Sequence, residues 1–500
     1  MSATPAIDTG PAPAEGANAP GLAQQVKGAV IWRSGSQIAS QLIAWAATFL
    51  VIRMLEPSDY GLVAMTGVVL IFLDLFNGWG FASALVRDER IDKHRIGQVF
   101  GMLILLNLCL GGLQFAVAPI AADYFHQPMV ADLLRVQALF FLANPFTALA
   151  NALLIRRMDF KAQSQVNLVA AVLSALTALS CAYAGLGVWT LVAAPAMLWF
   201  ARAIGLSIKA KLWIRPVFRF AGAGAMARYG GAMILVQFFW FVQSQADVFV
   251  GGRMLDAHRL GIYTTALFLT QILAAKFVPP LNEVAFAAYA RMQSQDGMMR
   301  DAFLKTVRLI MLIALPFYVG LAVTAEPLVL TVLGGKWGEV APLVPILACA
   351  MPLMTLQILF APATNALGRP ALAVRTGLIG AILMGGGFAI GIQWDAAGLA
   401  WAWVGGMAAL LIATIFLSLP AIGATRSALA AAVAPGLGAS LAMGALVLGL
   451  DSLLPSMGVA ARLALLVPFG GAAYAALLIA FARPAVEEML RLIKPAPATA

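Results

Sequence analysis

Two aspartates interrupt long apolar runs of this 500-residue chain, where a charged group could do chemistry. Asp74 lies within the run 61–86, and Asn77 follows it about one turn later, on the same side of a helix. A carboxylate at the middle of a bilayer costs roughly 2.5–3.5 kcal/mol on insertion scales, so Asp74 should face a cavity, meet a partner or be protonated. Two interpretations stay open, namely coupling to an ion gradient and a hydrogen bond between helices.

A polar stripe runs along the first apolar run, 30–54. It comprises Arg33, Gln37, Ser40, Gln41 and Thr48, at intervals close to the helical period. The seventh run, 226–250, repeats the stripe with Gln237, Ser244 and Asp247, and Asp247 is therefore the second coupling candidate. Arg33 lies only about one turn inside its run, so it either faces a polar path or reaches the cytoplasmic headgroups.

Two further cations fall in later runs, Lys276 in 260–282 and Arg308 in 304–325. In a cleft of low dielectric constant between the helices, such cations would attract an anionic group far more strongly than in water. Lys276 could instead pair with Asp247 or Asp74, and both cations could snorkel to the interface. The predicted substrate-binding residues are Arg33, Gln37, Gln41, Gln237, Lys276 and Arg308, and the predicted coupling residues are Asp74 and Asp247.

Motifs for other chemistry are missing from the sequence. The three cysteines and three histidines lie far apart, at spacings that suit neither metal sites nor disulfides. No zinc-protease, phosphate-loop or hydrolase-elbow motif stands out. We therefore predict no catalytic residue, no metal and no cofactor, with coupling to a proton or sodium gradient left open.

The elements that position these residues follow from composition. Hydrophobic residues make up 62% of the chain and charged residues 11%, whereas soluble proteins carry roughly 25% charged residues. The sequence predicts an all-α polytopic membrane protein with about fourteen transmembrane helices. The predicted spans are 30–54, 61–86, 97–121, 132–155, 162–183, 186–208, 226–250, 260–282, 304–325, 341–366, 371–392, 396–419, 428–450 and 459–482.

Basic residues predict the orientation of these spans. If the N-terminus is cytoplasmic, 21 of the 32 lysines and arginines fall in inside segments and five in outside segments. This asymmetry predicts a multi-pass protein with both termini in the cytoplasm. It also accounts for the net charge of +10 without nucleic acid. Residues 1–26 are predicted to form a disordered cytoplasmic tail, and residues 483–500 a second cytoplasmic tail.

An internal repeat divides the chain. The tetrapeptide Arg53–Glu56 recurs 200 residues later as Arg253–Asp256, and two further matches follow in the same order. We predict two six-helix lobes, 27–215 and 222–420, related as parallel repeats with a cleft between them, plus an extra helix pair at 428–482.

Several stretches together resemble one family. They are RMLEPSDYGLVAM (53–65), ALLIRRMDFK (152–161), AGLGVWTLVA (184–193), PPLNEVAFAAYARMQ (279–293), LGGKW (333–337) and NALGRPAL (365–372). They are similar to the Wzx-type lipopolysaccharide and exopolysaccharide flippases of the multidrug/oligosaccharidyl-lipid/polysaccharide exporter superfamily. The resemblance implies translocation of an undecaprenyl-pyrophosphate-linked oligosaccharide across the bacterial inner membrane. The predicted cations would then bind the pyrophosphate, and polysaccharide polymerase and export machinery are expected partners.

Two alternatives remain at this point. If the protein were an ion-coupled small-molecule exporter of the same fold, acidic residues rather than Arg and Lys should dominate its central cavity. A polytopic polymerase or ligase would need a large periplasmic loop with catalytic groups, whereas the longest outside connections, 122–131 and 326–340, are short.

Overall fold

A computed structural model describes residues 22–77, 92–218, 224–292, 297–455, 457–481 and 483. All regular secondary structure in these ranges is helical, which confirms the predicted all-α class. The described residues contain 12 segments long and apolar enough to cross a membrane. Several of them contain two helices, and in the segment Pro370–Ile422 both helices, of 22 and 28 residues, are long enough to cross by themselves. The chain is therefore a multi-pass membrane protein, and the number of about fourteen spans stays a prediction.

The first of two compact units is Met1–Phe238. Its helices are α1 (Leu22–Met54), α2 (Pro57–Asp74), α3 (Lys93–Phe125), α4 (Met129–Gln137), α5 (Phe140–Arg156), α6 (Phe160–Tyr183), α7 (Thr190–Ala210) and the first part of α8 (Gly224–Met254). Helix α6 packs along both α1 and α7, and α5 packs along α7. Leu103 of α3 and Leu149 of α5 are fully buried in the core between these helices.

The second unit, Phe239–Ala500, begins inside α8. Its further helices are α9 (Ala257–Lys276), α10 (Val278–Met292), α11 (Met298–Val323), α12 (Ala325–Val332), α13 (Leu343–Ile358), α14 (Phe360–Ala366), α15 (Pro370–Gly391), α16 (Asp395–Ile422), α17 (Arg426–Leu453) and α18 (Val459–Phe481). The extra pair, α17 and α18, belongs to this unit because α17 packs along α11 and Tyr474 donates a hydrogen bond to the Leu312 carbonyl at 2.7 Å.

The repeated tetrapeptides have the same local structure in each unit. A long helix ends at Met54 in one and at Met254 in the other, and a new helix begins three residues later. The backbone N–H of Glu56 bonds the Asp59 carboxylate at 3.1 Å, and the Asp256 carboxylate accepts from the Arg259 N–H at 2.8 Å. These bonds satisfy N–H groups that have no partner inside the helix. The lobe boundaries 27–215 and 222–420 themselves stay predictions.

Four predicted spans are not continuous helices in the described residues. The span 132–155 breaks at residues 138–139, between α4 and α5, and the span 341–366 breaks at Leu359, between α13 and α14. The other two breaks lie beside candidate site residues. The run 61–86 is interrupted at residues 75–77, directly after Asp74, and residues 78–91 lie outside the described part. The run 260–282 breaks at Phe277, between α9 and α10. Pro279 and Pro280 fall in the first turn of α10, where their missing N–H groups cost no helical hydrogen bond. The two prolines are thus accommodated at the start of a new helix, and they do not kink a continuous one.

Helices α15 and α16 approach closely where they meet. Gly391 and Gly398 face each other across the hairpin, and a Cβ added at Gly398 would overlap the carbonyl oxygen of Gly391. A Cβ added at Gly391 would lie 2.9 Å from the Ala402 Cβ. Small residues permit such backbone contact between membrane helices, where dispersion contacts replace the hydrophobic effect as the driving force.

This contact gives a stability prediction. Gly398→Ala should lower the free energy of unfolding by about 1–3 kcal/mol, because the new methyl group forces the two backbones apart. Gly405→Ala is the matched control, since it lies in the same helix and a Cβ there meets nothing within 4 Å. Thermal melting of both purified variants in one detergent measures the difference. Equal melting temperatures would contradict the close approach.

Candidate functional site

Three buried asparagines form a polar centre in the first unit. Asn144 of α5 donates from Nδ2 to Asn77 Oδ1, and to Asn107 Oδ1 of α3 at 3.1 Å. Asn77 in turn donates to Asp74 Oδ1 at 2.7 Å. Their side chains are only 1–5% exposed, so these amides form hydrogen bonds with one another where water cannot reach them. Because an unsatisfied amide inside a membrane costs several kcal/mol, the chain of bonds holds three segments in register.

Asp74 lies at the open end of this chain of bonds. It is the last residue of α2 and its side chain is exposed, whereas Asn77, three residues on, is buried. At the other end, Asn144 Oδ1 is buried without a hydrogen-bond partner among the described residues. A change at Asp74 therefore acts first on the Asn77 amide and then, through it, on Asn144. Both interpretations of Asp74 remain, since the network links helices and the carboxylate is still accessible.

Asp247 of α8 is the centre of a second polar site, in the second unit. Its side chain has no exposed surface. Oδ2 accepts from Tyr263 Oη of α9 at 2.7 Å and from Trp403 Nε1 of α16 at 3.2 Å, and Oδ1 accepts from the Val248 N–H at 2.8 Å. Trp403 Nε1 also lies 2.9 Å from Tyr263 Oη. One carboxyl group thus ties three helices together.

The donors around Asp247 limit what it can do. Tyr263 Oη, Trp403 Nε1 and the backbone N–H all offer hydrogens, and the described residues place no Lys or Arg beside the carboxyl group. The arrangement suits a carboxyl group that holds the three helices together.

The predicted polar stripes are only partly visible. The Arg33 side chain lies outside the described part of the chain. Gln37 is exposed and Gln41 half-buried, both on α1, and Gln237 of α8 is exposed. Gln243, which is not part of the predicted stripe, lies next to Ser244 and donates to the Gly377 carbonyl of α15 at 3.0 Å, so this residue serves helix packing.

Lys276 and Arg308 occupy different positions from those that the sequence suggested. Lys276 is the last residue of α9 and is exposed, since the predicted span ends early at Phe277. It forms no ion pair with Asp247, whose partners are the donors described above. A pair of Lys276 with Asp74 and binding of a substrate by Lys276 both stay predictions. Arg308 lies in the third turn of α11 and is half-buried.

Sequence reasoning missed most of the partners in these two centres. Asn107 and Asn144 carried a usable signal, because each amide interrupts an apolar run, as in LILLNLCL. Tyr263 and Trp403 gave no such signal, because both are common in apolar helices. Trp403 lies 156 residues from Asp247 along the chain, and only the folded unit brings the two together.

Comparison with known proteins decides the family. The family described as "Polysaccharide biosynthesis protein" matches residues 50–342. The chain belongs to this family. The matched region includes both polar centres except for Trp403, and it covers the repeated tetrapeptides at Arg53 and Arg253.

Relatives and solved structures agree with that family. The chain is 27% identical to the succinoglycan biosynthesis transport protein ExoT of Rhizobium meliloti, over 68% of this chain and 69% of that one. It is 23% identical to the teichuronic acid biosynthesis protein TuaB of Bacillus subtilis, over 66% and 68% of the two chains. Its fold is similar to that of the lipid II flippase MurJ, with a TM-score of 0.76 and 11% identity, over 91% of this chain and 100% of that one.

These similarities make the protein a membrane transporter of polysaccharide biosynthesis and not an enzyme. The sequence alternative of a polymerase or ligase is therefore wrong. The predicted Wzx-type resemblance is confirmed at the level of the family and the fold.

The Asp247 centre yields a prediction about stability. Asp247→Leu should lower the free energy of unfolding by about 1–3 kcal/mol, since it leaves buried donors without an acceptor. Tyr263→Phe should cost less, because Trp403 and the Val248 N–H still bond the carboxyl group. The double variant should lose less than the sum of the two single losses, because both remove the same bond.

Denaturation of the purified variants measures these losses, with Tyr183→Phe as control, since Tyr183 is 88% exposed. Strictly additive losses would mean that the bond between Asp247 and Tyr263 contributes nothing.

Proposed function

We propose that this transporter moves an undecaprenyl-pyrophosphate-linked oligosaccharide repeat unit from the cytoplasmic to the periplasmic side of the bacterial inner membrane, by alternating access. The product would serve lipopolysaccharide or exopolysaccharide synthesis. The observation that carries the proposal is the polysaccharide-family match in a chain with the fold of a lipid flippase. The names of the relatives support a glycan cargo, since they refer to succinoglycan and teichuronic acid.

The cations and amides of the predicted site divide between the two ends of such a substrate. Arg33, Lys276 and Arg308 would bind the pyrophosphate, because cations pair strongly with phosphate where water is scarce. Gln37, Gln41 and Gln237 would contact the sugars, since an amide both donates to and accepts from hydroxyl groups. The exposure of Lys276, Gln37 and Gln237 supports a role in contacting a ligand.

The orientation is part of the proposal. Both termini would lie in the cytoplasm, on the side that carries 21 of the 32 basic residues. In that orientation the basic ends of α5, α6 and α7 face the leaflet in which a pyrophosphate-linked lipid is assembled. A polysaccharide polymerase and an export machinery would take the product on the other side.

Depletion of the protein tests the cargo. Cells that lose it should stop exporting polymer and should accumulate an undecaprenyl-pyrophosphate-linked oligosaccharide with its glycan on the cytoplasmic side. Lipid extraction and mass spectrometry identify that intermediate. Re-expression of the wild-type chain should restore export and remove the intermediate.

Two outcomes would contradict the proposal. Normal polymer export without the protein would exclude this cargo. Unchanged lipid-linked intermediates together with increased sensitivity to small toxic molecules would favour the ion-coupled exporter of the same fold.

Coupling to a proton or sodium gradient is the second part of the proposal, with Asp74 as the primary candidate. Its carboxylate is exposed and contacts the buried amides only through Asn77, so a change of charge would reach Asn144 and the α3–α5 contact. Asp247 is the other candidate, and its three donors would first have to move away.

Asp74→Asn separates coupling from simple bonding. The variant should insert and bind substrate but lose gradient-driven turnover by tenfold or more, because an amide keeps the bond from Asn77 and loses the charge. Transport into vesicles with and without an imposed gradient measures the effect. Asp132→Asn is the control, since Asp132 is an exposed partner of Arg135 at 3.2 Å. Near-normal turnover by Asp74→Asn would transfer the role to Asp247.

A further inference from the structure

Arg202 is a cation inside a membrane-spanning helix, eight residues before the end of α7. Its side chain is half-buried, and its Nε is buried without a hydrogen-bond acceptor among the described residues. No acidic side chain in that part of the chain forms an ion pair with it. A guanidinium stays charged inside proteins and has five donors to satisfy. Among the described residues this half-buried cation therefore has no counter-ion.

The direction of the side chain argues against contact with the lipid tails. Ile204 and Ile208 are 61% and 69% exposed and mark the lipid-facing side of α7. Arg202 precedes Ile204 by two residues, and at 3.6 residues per turn the two side chains leave opposite sides of the helix. Leu206, one turn after Arg202, is 2% exposed. Arg202 thus lies beside the buried face of the first unit.

Snorkelling to the near interface also fits poorly. Side chains in a helix tilt toward its N-terminus, and for Arg202 this direction leads away from the basic end of α7. The same side of the helix carries Gly205 and Lys209, three and seven residues on. Gly205 packs against Val166 of α6, since a Cβ there would lie 2.7 Å from Val166 Cγ1. Arg202, Gly205 and Lys209 therefore lie along the side of α7 that contacts α6.

Lys209 completes the arrangement at the helix end. It is exposed, and at 1.5 Å per residue it lies about 10 Å from Arg202 along the axis. A negatively charged group could bind the exposed Lys209 first and then the half-buried Arg202. A guanidinium binds phosphate oxygens through two parallel hydrogen bonds, which a lysine cannot do.

We propose that Arg202 binds the phosphate of an anionic lipid headgroup inside the first unit, with Lys209 as the contact at the membrane interface. The headgroup is either the pyrophosphate of a polyprenyl-linked substrate or the phosphate of an acidic phospholipid. The first source rests on the proposed function, and the second does not.

Binding of two lipids to the purified full chain tests this assignment. The protein is reconstituted in phosphatidylcholine nanodiscs, and the probes are radiolabelled undecaprenyl pyrophosphate and phosphatidylglycerol. Arg202→Gln should weaken binding of at least one probe tenfold or more. Arg202→Lys keeps the charge but loses the two-bond geometry, and should weaken the same probe about threefold. Arg135→Gln is the matched control, because Arg135 is an exposed residue of the same unit and should leave both affinities unchanged.

The outcomes separate the two sources. Loss of the pyrophosphate probe alone assigns Arg202 to the substrate, loss of phosphatidylglycerol alone assigns it to a bound phospholipid, and loss of both assigns it to lipid phosphate in general. Affinities of Arg202→Gln within twofold of wild type for both probes overturn the proposal. If Arg202→Gln is not recovered as folded protein, unchanged binding of both probes by Arg202→Lys overturns it.

The binding experiment and the depletion experiment test the Arg202 site and the proposed function separately. A chain that binds phosphatidylglycerol through Arg202 but whose depletion leaves polymer export normal keeps the Arg202 site and loses the proposed function. A chain that exports polymer but binds both probes without Arg202 keeps the function and loses the site.

Discussion

The absence of water in the bilayer core is the constraint on which this structure depends. Every amide, hydroxyl and charge within the membrane must find its partner inside the protein. The described helices satisfy most such groups locally, as when Thr270 or Thr414 bonds a carbonyl four residues earlier in its own helix. Other polar groups of the described residues bond a neighbouring helix, as Gln114, Gln243 and Tyr474 do, and these bonds help to fix how the helices pack.

The two units meet this constraint in different ways. In the first, amide bonds run from buried Asn107 and Asn144 to Asp74, which is exposed. In the second, the carboxyl group of Asp247 is enclosed by donors from two other helices and its own backbone. In the register that aligns Arg53 with Arg253, the counterpart of Asp247 is Ala47. The repeated sequence therefore accounts for the common helical framework and not for the polar centres.

The framework could be predicted from the sequence because its causes are local. Apolar runs give the helices, and the acidic residue after Met54 or Met254 lies where the next helix begins. The centres depend on contacts between residues far apart in the chain, such as the 156-residue separation of Asp247 from Trp403, and no period or motif encodes those. Lys276 lies between these two cases, because its helix has a local cause and its position at a helix end does not. Its helix was predicted, but the break at Phe277 that leaves it at a helix end depends on how the two prolines are accommodated.

Asp247, Asp74 and Arg202 differ in how exposed they are and in which partners the described protein gives them. A buried group whose partners are all protein donors, such as Asp247, has a fixed environment as long as α8, α9 and α16 stay packed. Asp74 differs, because its side chain is exposed and bonds one buried amide, that of Asn77. Arg202 differs from both, because the described protein gives it no counter-ion. The three groups thus differ in how far the described protein alone satisfies them, which is fully for Asp247, in part for Asp74 and least for Arg202.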